Sequence, residues 1–423
     1  MKQSIALVFP KSTFLTNPMV WPPLGLFYLA SQLEARGHRT DFYDMSFREL
    51  DFGDGDFDQV WISAKAPQMY EVRKIAETTK NWTKTKTVFG GAAVWANPYK
   101  YKNLSFDMLV AGESDHPDTI SYIIENTEKL YFAPISKTLD WVLPPIRRWT
   151  TNYHAYMTDR NTGKEYRMAS MFTSRGCGKA CAFCESGRNG VIWDRLVRFE
   201  PIHVVEAQIK EIADLGFTGI GFYDDILPIN KRRVSELMEL TKKYNMKWRC
   251  FLRTDLICQN GGKNYLKQMQ DGGLIECFVG VESADNQIKK NIHKGTTIEQ
   301  DEAVLNWCKE LGITCKMSFI IGLPGEGYES LNKTKDWILK HRPHIVQTDR
   351  LIPFPGTPLT DHPELYDLKY EDQPDEEWFF RGRWDLNSKS FVSTSHLTVD
   401  DIDRFWHELE KTLLDEGLSG YNH

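Results

Sequence analysis

A regular alternation of short apolar runs with longer amphipathic stretches occurs twice along this chain of 423 residues and limits the folds open to it. Strands that alternate with helices form parallel sheets covered by helices, so the expected fold class is α/β. The first series spans residues 1–125 and predicts a doubly wound, Rossmann-like domain. Its predicted elements are strands at 5–9, 40–45, 59–64, 87–89 and 108–110, and helices at 24–36, 71–80 and 118–126.

The second series begins near residue 167 and contains six further strands. They are predicted at 168–174, 219–224, 248–254, 276–282, 314–321 and 345–352, with helices at 201–215, 231–244, 297–311 and 328–341. Six such units predict a partial (β/α)6 barrel of the TIM type rather than a closed eight-stranded one. We therefore expect a Rossmann-like domain (1–130), a linker (131–166), the barrel (167–356) and a small, mostly helical C-terminal region (357–423). In that last region, Thr398 and Asp401 have the pattern of a helix N-cap.

Composition excludes several classes of protein. Hydrophobic residues make up 41% and charged residues 26% of the chain, which predicts a packed protein and argues against wholesale disorder. The formal net charge of −6 leaves no global basic surface for bulk nucleic acid. No apolar run approaches the ~18–20 residues that a membrane helix needs, and residues 1–10 lack the pattern of a signal peptide. We expect a cytoplasmic protein with no membrane partner.

The eight cysteines fall into two groups. Cys177, Cys181 and Cys184 have C-x3-C-x2-C spacing in a short loop directly after the first predicted barrel strand. Thiolates suit iron–sulfur clusters or zinc, but a structural zinc site needs four protein ligands, and the nearest downstream histidine is His203. Three thiolates on a four-iron cluster leave one iron open to a small molecule. The other five cysteines lie singly in apolar surroundings, which predicts small buried side chains. They are Cys250, Cys258, Cys277, Cys308 and Cys315.

The cysteine loop, with Phe183 before its last cysteine, resembles the cluster motif of the radical S-adenosylmethionine (SAM) superfamily. The resemblance continues through residues 173–177, 221–225, 280–283, 317–326 and 351–358. It implies that Cys177, Cys181 and Cys184 hold a [4Fe–4S] cluster whose open iron binds the amino and carboxylate groups of SAM. One electron from the cluster then cleaves a carbon–sulfur bond of SAM and yields the 5′-deoxyadenosyl radical. Zinc binding or chance clustering is the alternative.

The same resemblance places SAM contacts at the carboxyl ends of the predicted strands. Phe183 would offer backbone groups to the adenine, Arg253 would pair with the SAM carboxylate, and Glu282 would take the ribose hydroxyls or the ammonium group. A strand-end acid commonly caps a helix instead, and Arg253 has a nearby acid in Asp255. The residues assigned to SAM in this way are Phe183, Asp224, Asp225, Arg253, Glu282, Ser318 and Gly322.

The N-terminal half resembles the cobalamin-binding domain that precedes the barrel in cobalamin-dependent radical SAM enzymes. The similar segments are 22–30, 60–63, 89–91 and 111–113. The resemblance implies a corrin near the carboxyl ends of the strands, where ligands of such sheets bind. Glycines at these ends also simply make turns, and a domain that keeps the fold without the cofactor is the alternative. The residues assigned to cobalamin are Ser63, Gly90, Gly91 and Gly112.

Two absences refine this assignment. The Asp-x-His-x-x-Gly loop of other cobalamin proteins is missing, because neither N-terminal histidine, His38 or His116, fits it. Radical SAM members often lack that histidine, so its absence does not exclude cobalamin binding. The N-terminal half also has no cysteine, which argues against a methylthiotransferase with a second cluster.

Together the motifs predict a radical SAM enzyme, and specifically a cobalamin-dependent methyltransferase that acts on an unactivated carbon. The alternatives are a cobalamin-independent radical SAM enzyme, catalysing a cyclisation, elimination, epimerisation or rearrangement, and a non-catalytic, metal-stabilised binding protein. We expect a small-molecule substrate and an external electron donor of the flavodoxin or ferredoxin type, and no catalytic residue is assigned. Trp378, Phe379, Phe380 and Trp384 are candidates to close over the active site, with core packing as the alternative.

Overall fold

The computed structural model describes residues 2–12, 17–20, 22–187, 196–371 and 389–420. The chain forms two compact units. The first contains the residues up to Ala155 together with Arg198–Leu215, and the second contains Tyr156–Val197 and the residues from Gly216 onward. The aromatic residues at 378–380 and 384 lie outside the described residues.

The first unit is built on a six-stranded parallel sheet with the strand order β2-β1-β3-β4-β5-β6. Its strands are β1 (Ser4–Phe9), β2 (Arg39–Asp44), β3 (Gln59–Ser63), β4 (Lys86–Gly90), β5 (Met108–Ala111) and β6 (Leu130–Phe132). Its helices are α1 (Leu24–Ala35), α2 (Met69–Thr79), α3 (Ala92–Ala96), α4 (Pro117–Glu125) and α5 (Ile202–Asp214), with short 3-10 turns at Pro18–Val20, Ala66–Gln68 and Thr150–Asn152.

Both faces of this sheet are covered, as its sequence requires. In β1, Ile5 and Leu7 belong to one apolar cluster and Ala6 and Val8 belong to the other, because successive side chains of a strand point to opposite faces. Helix α1 packs into the first cluster and helix α2 into the second. The strand order reverses at β1, which lies between β2 and β3. Parallel sheets bind ligands beyond the carboxyl ends of the strands at such a reversal.

The second unit is a partial barrel of six strands, with one further strand at its edge, in the order β15-β14-β13-β12-β11-β8-β7. The pairs from β8 to β15 are parallel. The strands of this sheet are β7 (Ala155–Thr158), β8 (Glu165–Met171), β11 (Gly219–Phe222), β12 (Lys247–Leu252), β13 (Leu274–Glu282), β14 (Thr314–Ile321) and β15 (Ile345–Arg350). Two-residue strands of this unit lie at β9 (Ser174–Arg175), β16 (Lys369–Tyr370) and β17 (Val392–Ser393), whereas the two-residue strand β10 (Arg198–Phe199) belongs to the first unit.

Eight helices accompany the barrel sheet in the described part of the second unit. They are α6 (Lys231–Lys243), α7 (Thr254–Gln259), α8 (Lys263–Asp271), α9 (Asn286–Asn291), α10 (Ile298–Leu311), α11 (Tyr328–His341), α12 (Pro358–Asp361) and α13 (Val399–Asp415), with 3-10 turns at Glu185–Gly187, Leu227–Ile229 and Pro363–Tyr366. In β12, Trp248 and Cys250 are fully buried while Arg249 and Phe251 are half-buried, and the same alternation continues through β13, β14 and β15. The half-buried set therefore faces the inside of the partial barrel.

The predicted α/β architecture of a Rossmann-like unit and a partial barrel is confirmed, and several boundaries differ. Strand β8 ends at Met171 rather than at residue 174, and Gly90 is the last residue of β4 rather than part of the following turn. The capping box at the start of α13 is confirmed, since Thr398 and Asp401 bind each other's backbone amides. Among the described residues, no helix is long and apolar enough to cross a membrane.

Candidate active site

The cysteine loop follows β8 at the carboxyl end of the barrel sheet. Its centre is anchored by the buried Ala182, whose amide donates to the carbonyl of Ile292 at 2.9 Å and whose carbonyl accepts from the amide of Leu359 at 3.3 Å. At its entry, Gly176 has a φ of +92°, and a Cβ atom there would collide with the carbonyl oxygen of Leu196. The loop therefore needs a glycine directly before its first cysteine.

The loop offers three sulfur atoms as metal ligands. A single tetrahedral zinc ion, with Zn–S bonds of about 2.3 Å, holds its thiolates within about 4 Å of one another. Among the described residues, the sulfurs of Cys177, Cys181 and Cys184 do not form a set that lies within 4.8 Å. An iron–sulfur cube binds each cysteine at a different iron, which spaces the sulfurs more widely. Three thiolates on one short loop are a donor set that fits an iron–sulfur cluster.

Burial sets the protonation state of two of these thiols. Burial raises the pKa of Cys184 to about 11 and raises that of Cys177 in the same direction. Both groups are therefore protonated thiols at neutral pH until a metal displaces the protons.

A buried cationic network lies beside Cys181. The guanidinium of Arg253 donates from Nη1 to the Sγ atom of Cys181 at 3.5 Å, from Nε and Nη2 to Asp255 at 3.1 and 3.2 Å, and from Nη2 to the carbonyl of Lys294 at 2.5 Å. Lys179 also donates to Asp255 at 2.8 Å. Burial alone would raise the pKa of Asp255, but these hydrogen bonds outweigh it and lower the pKa. Arg253 is thus directed at a loop sulfur as well as at Asp255.

Glu282 stands at the end of β13 in a strained conformation. Its φ is +69°, a left-handed value that side chains other than glycine rarely adopt. Its carboxylate pairs with the Nζ atom of Lys294 at 2.6 Å, and both side chains are less than a tenth exposed. The pair lies directly over Gly280, where a Cβ atom would overlap with it. Lys294 also lies 5.7 Å from the ring centroid of Phe183, so the pair borders the cysteine loop.

Asp224 and Asp225 follow β11 and contact the residues around the loop. Asp224 is fully buried and accepts hydrogen bonds from Thr173 and Ser174, which precede the loop. Burial raises the pKa of Asp224 to about 6, against the opposing effect of those hydrogen bonds. The exposed Asp225 accepts from the amide of Gly176 at 3.1 Å.

The last two predicted SAM residues lie on β14 and after it. Ser318 is half-buried on the inner face of the sheet, and Gly322 has a φ of +91° in the turn that follows the strand. A buried carboxylate that the sequence analysis did not single out, Glu326, holds this turn by accepting from the amides of Gly322 and Leu323 at 2.8 and 3.0 Å. Burial raises its pKa to about 8. Its only sequence signal is its place after a glycine-proline turn.

In the first unit, the four residues assigned to cobalamin come together at the carboxyl edge of the sheet. Ser63 pairs in register with Gly90, and Gly112 follows the neighbouring strand β5. Gly91 and Gly112 have φ values of +91° and +126°, and Cβ atoms there would collide with neighbouring loops. Packing between loops thus already explains these two glycines. Their contact with cobalamin stays a prediction.

Gln68 organises the same edge. The resemblance to cobalamin-binding domains implies that the loop 64–68, to which it belongs, faces the lower side of the corrin, but the hydrogen bonds that Gln68 makes within the protein have no sequence signal. Its fully buried side chain donates to the carbonyl of Pro10 at 2.5 Å and to the hydroxyl of Ser12 at 3.3 Å, and it accepts from the amide of Lys65 at 2.9 Å. It therefore fixes the loop after β1 against the loop after β3.

The predicted burial of the scattered cysteines is confirmed for Cys250, Cys277, Cys308 and Cys315, whereas Cys258 is partly exposed. Three of them meet, because Cys277 and Cys315 are register partners on adjacent strands and Cys308 covers them from α10. Their sulfurs lie within 4.8 Å of one another, and those of Cys277 and Cys308 are 3.8 Å apart. No fourth ligand completes this set among the residues that the structure describes. We call Cys277, Cys308 and Cys315 the buried thiol trio.

The fold and the site together define a class of protein: a partial (β/α) barrel enzyme with an iron–sulfur loop, preceded by a doubly wound ligand-binding domain. Two family models match the chain, the Radical SAM superfamily over residues 171–338 and the B12 binding domain over residues 11–120. The chain thus combines a B12-binding domain with a radical SAM domain that follows it in the sequence. The predicted family is confirmed, and with it the cofactor set that it implies: a [4Fe–4S] cluster, SAM and cobalamin.

Individual proteins resemble the chain over most of its length. An uncharacterized methyltransferase of Pyrococcus horikoshii is 27% identical over 85% of this chain and 82% of its own. The anaerobic magnesium-protoporphyrin IX monomethyl ester cyclase of Rubrivivax gelatinosus is 24% identical over 82% of this chain and 68% of its own. The structure of the radical SAM methyltransferase TsrM from Kitasatospora setae, with cobalamin and a [4Fe–4S] cluster bound, has a TM-score of 0.72 and 16% identity, covering 98% of this chain and 91% of that chain. This superposition confirms the architecture.

Proposed function

We propose that this protein is a radical SAM enzyme that uses cobalamin to methylate an unactivated carbon of a small-molecule substrate. The observation that carries the proposal is the presence, in one chain, of a three-thiol loop on a partial barrel that matches the Radical SAM superfamily and of a doubly wound unit that matches the B12 binding domain. The relative from Pyrococcus horikoshii, which is named a methyltransferase, supports methyl transfer because the similarity extends over both units.

The cluster would be held by Cys177, Cys181 and Cys184. When bound, the cluster supplies the electron that cleaves SAM, and cobalamin supplies methyl-transfer chemistry. The chain's own part is to bind and orient these groups in a site that excludes water. Arg253, through its hydrogen bond to Cys181, orients a ligand sulfur and places positive charge beside it.

The remaining site residues are assigned as follows. SAM would contact the backbone of Phe183, the turn at Gly322, Ser318 on the inner face of the sheet, and the strained end of β13 at Glu282. In the first unit, the corrin would lie at the sheet edge that is formed by Ser63, Gly90, Gly91 and Gly112. We further assign an external electron donor of the flavodoxin or ferredoxin type and a cytoplasmic location.

The proposal is tested with protein purified without oxygen and reconstituted with iron, sulfide and cobalamin. Wild type is expected to bind iron and corrin, to form 5′-deoxyadenosine from SAM under reducing conditions, and to transfer a deuterated methyl group from labelled SAM to a product. The C177S/C181S/C184S variant is expected to lose the iron and the SAM cleavage. The matched control C258S, which changes a partly exposed cysteine outside the loop, keeps both. Wild type without iron would refute the proposal.

A second function is favoured by one comparison, because the Rubrivivax gelatinosus relative of similar coverage is named a cyclase. The same experiment separates the two. Formation of 5′-deoxyadenosine with corrin bound, but with no labelled methyl group in any product, would favour a cyclisation or rearrangement over methylation. Activity that is indifferent to corrin would favour the cobalamin-independent alternative.

A further inference from the structure

Two adjacent carboxylates after β11 bind both ends of the cysteine loop. Asp224 is wholly buried, and Asp225 is exposed beside the loop. The resemblance to the family assigned both to SAM. We propose instead that they are positioning residues, a carboxylate clasp that holds the loop in the geometry in which its cysteines can bind a cluster. This inference rests on the proposed function, because the clasp matters only if the loop holds a cluster.

Asp224 secures the entry side of the loop. One of its oxygens accepts from the amide of Thr173 at 3.0 Å and from the Thr173 hydroxyl at 2.8 Å, and it also accepts from the hydroxyl of Ser174. The second oxygen accepts from the same amide at 3.2 Å. Three donors from two residues therefore engage this carboxylate, and both hydroxyls bind the same oxygen. With no exposed surface, Asp224 has no face left for a ligand.

Asp225 joins the two ends of the loop. Its Oδ2 atom accepts from the amide of Gly176, the residue before Cys177, and its Oδ1 atom accepts from the hydroxyl of Ser186 at 2.5 Å, two residues beyond Cys184. One side chain thus bridges backbone and hydroxyl donors that flank all three cysteines. Gly176 has no side chain of its own, so its amide is the group available there for such a bond.

The physical value of the clasp is preorganisation. Three ligands on a flexible loop must lose conformational freedom when a cluster binds, and a loop that is already closed has less to lose. Hydrogen bonds to a charged carboxylate are stronger than those between neutral groups. Groups outside the ligand set that hold ligands in place typically change metal affinity by about 10–100-fold when they are removed.

The test compares D225A, S186A and the double variant D225A/S186A in reconstituted protein. The measured quantity is the rate at which the cluster is lost to an iron chelator under anaerobic conditions, followed by absorbance and by the EPR signal of the reduced cluster. We expect D225A to lose its cluster about tenfold faster than wild type and S186A to lose it about threefold faster. The double variant should lose its cluster no faster than D225A, because both substitutions remove the hydrogen bond between Ser186 and Asp225.

Two controls keep the outcome interpretable. The variant D271A removes an acid of equal charge from an exposed site on α8, where Asp271 pairs with Lys267, and should lose its cluster at the wild-type rate. S186A removes one hydroxyl from a partly exposed side chain, so it leaves the fold intact even if D225A does not.

The proposal is overturned if the increases in the rate of cluster loss caused by S186A and D225A multiply in the double variant. It is also overturned if S186A loses the cluster at the wild-type rate. It is also overturned if D225A keeps its cluster while its dissociation constant for SAM rises, since that result would make Asp225 a SAM ligand. Failure of the proposed function is distinguishable, because in that case wild type itself would hold no iron.

Discussion

The ion pair between Glu282 and Lys294 allows a prediction in which two effects of opposite sign compete. The substitution E282G relieves a left-handed backbone conformation, which costs about 1–2 kcal/mol for a residue with a side chain. It also breaks a pair whose two side chains are less than a tenth exposed. Removing one partner of a buried pair costs about 3–5 kcal/mol, because the other charge is left without compensation.

The balance predicts that E282G is less stable than wild type by about 1–4 kcal/mol. The variant E282Q loses the same charge but keeps the strained backbone, so it should be about 1–2 kcal/mol less stable than E282G. K294M should be destabilised by a similar amount to E282Q, and the double variant E282Q/K294M should recover most of the loss. The order of stability is therefore the result to test.

The assay is urea unfolding of anaerobically prepared protein, with SAM affinity measured by calorimetry on the same samples. If E282G proves as stable as wild type, the pair contributes no more than the strain it imposes and the reasoning fails. If E282G unfolds more easily than E282Q, the strain argument fails. Unchanged SAM affinity in all variants would show that the pair is structural and that Glu282 does not contact SAM.

Three further predictions follow from single side chains. Burial raises the pKa of Glu410 to about 7, so the folded protein binds this proton more tightly than the unfolded chain does. The free energy of unfolding should therefore fall by up to about 3 kcal/mol as the pH rises from about 4.5 to 7. Urea unfolding at pH 5 and pH 8 should show this decline in wild type but not in E410Q. G91A should lower the free energy of unfolding by at least about 2 kcal/mol and abolish corrin uptake. G163A, at a left-handed position in open space, should lower it by about 1 kcal/mol and leave corrin uptake unchanged. K289M should lower the free energy of unfolding, measured by heat or urea, by about 3–5 kcal/mol because it leaves the buried Asp301 without its cationic partner. K289M/D301L should recover most of that loss.

The barrel could be predicted from the sequence where its elements are long and periodic. The strand at 314–321 and the helix at 328–341 coincide with β14 and α11. The short helices Thr254–Gln259, Asn286–Asn291 and Ala92–Ala96 were not predicted, because fewer than two turns give no measurable period. Strand β6 was also missed, since its three residues are only partly buried.

The site could be predicted only in part. The three loop cysteines are neighbours in sequence, so their chemistry is visible without a fold. Asp224 and Asp225 were placed correctly at a strand end, but the direction in which a side chain turns there depends on where the neighbouring strand stops. Strand β8 stops at Met171, which frees Thr173 and Ser174 to bind Asp224. Lys294 had no signal, because its partners lie on elements that only the folded chain brings together.

The buried thiol trio divides the cysteines of this protein into two kinetic classes. Without a cluster, the half-buried Cys177 and Cys184 are within reach of an alkylating reagent in the folded chain. The trio becomes reactive only when the layer between α10 and the barrel sheet opens. The alkylation rate of those three positions, read peptide by peptide in a mass spectrometer, therefore measures the local opening equilibrium of the barrel wall without any engineered probe.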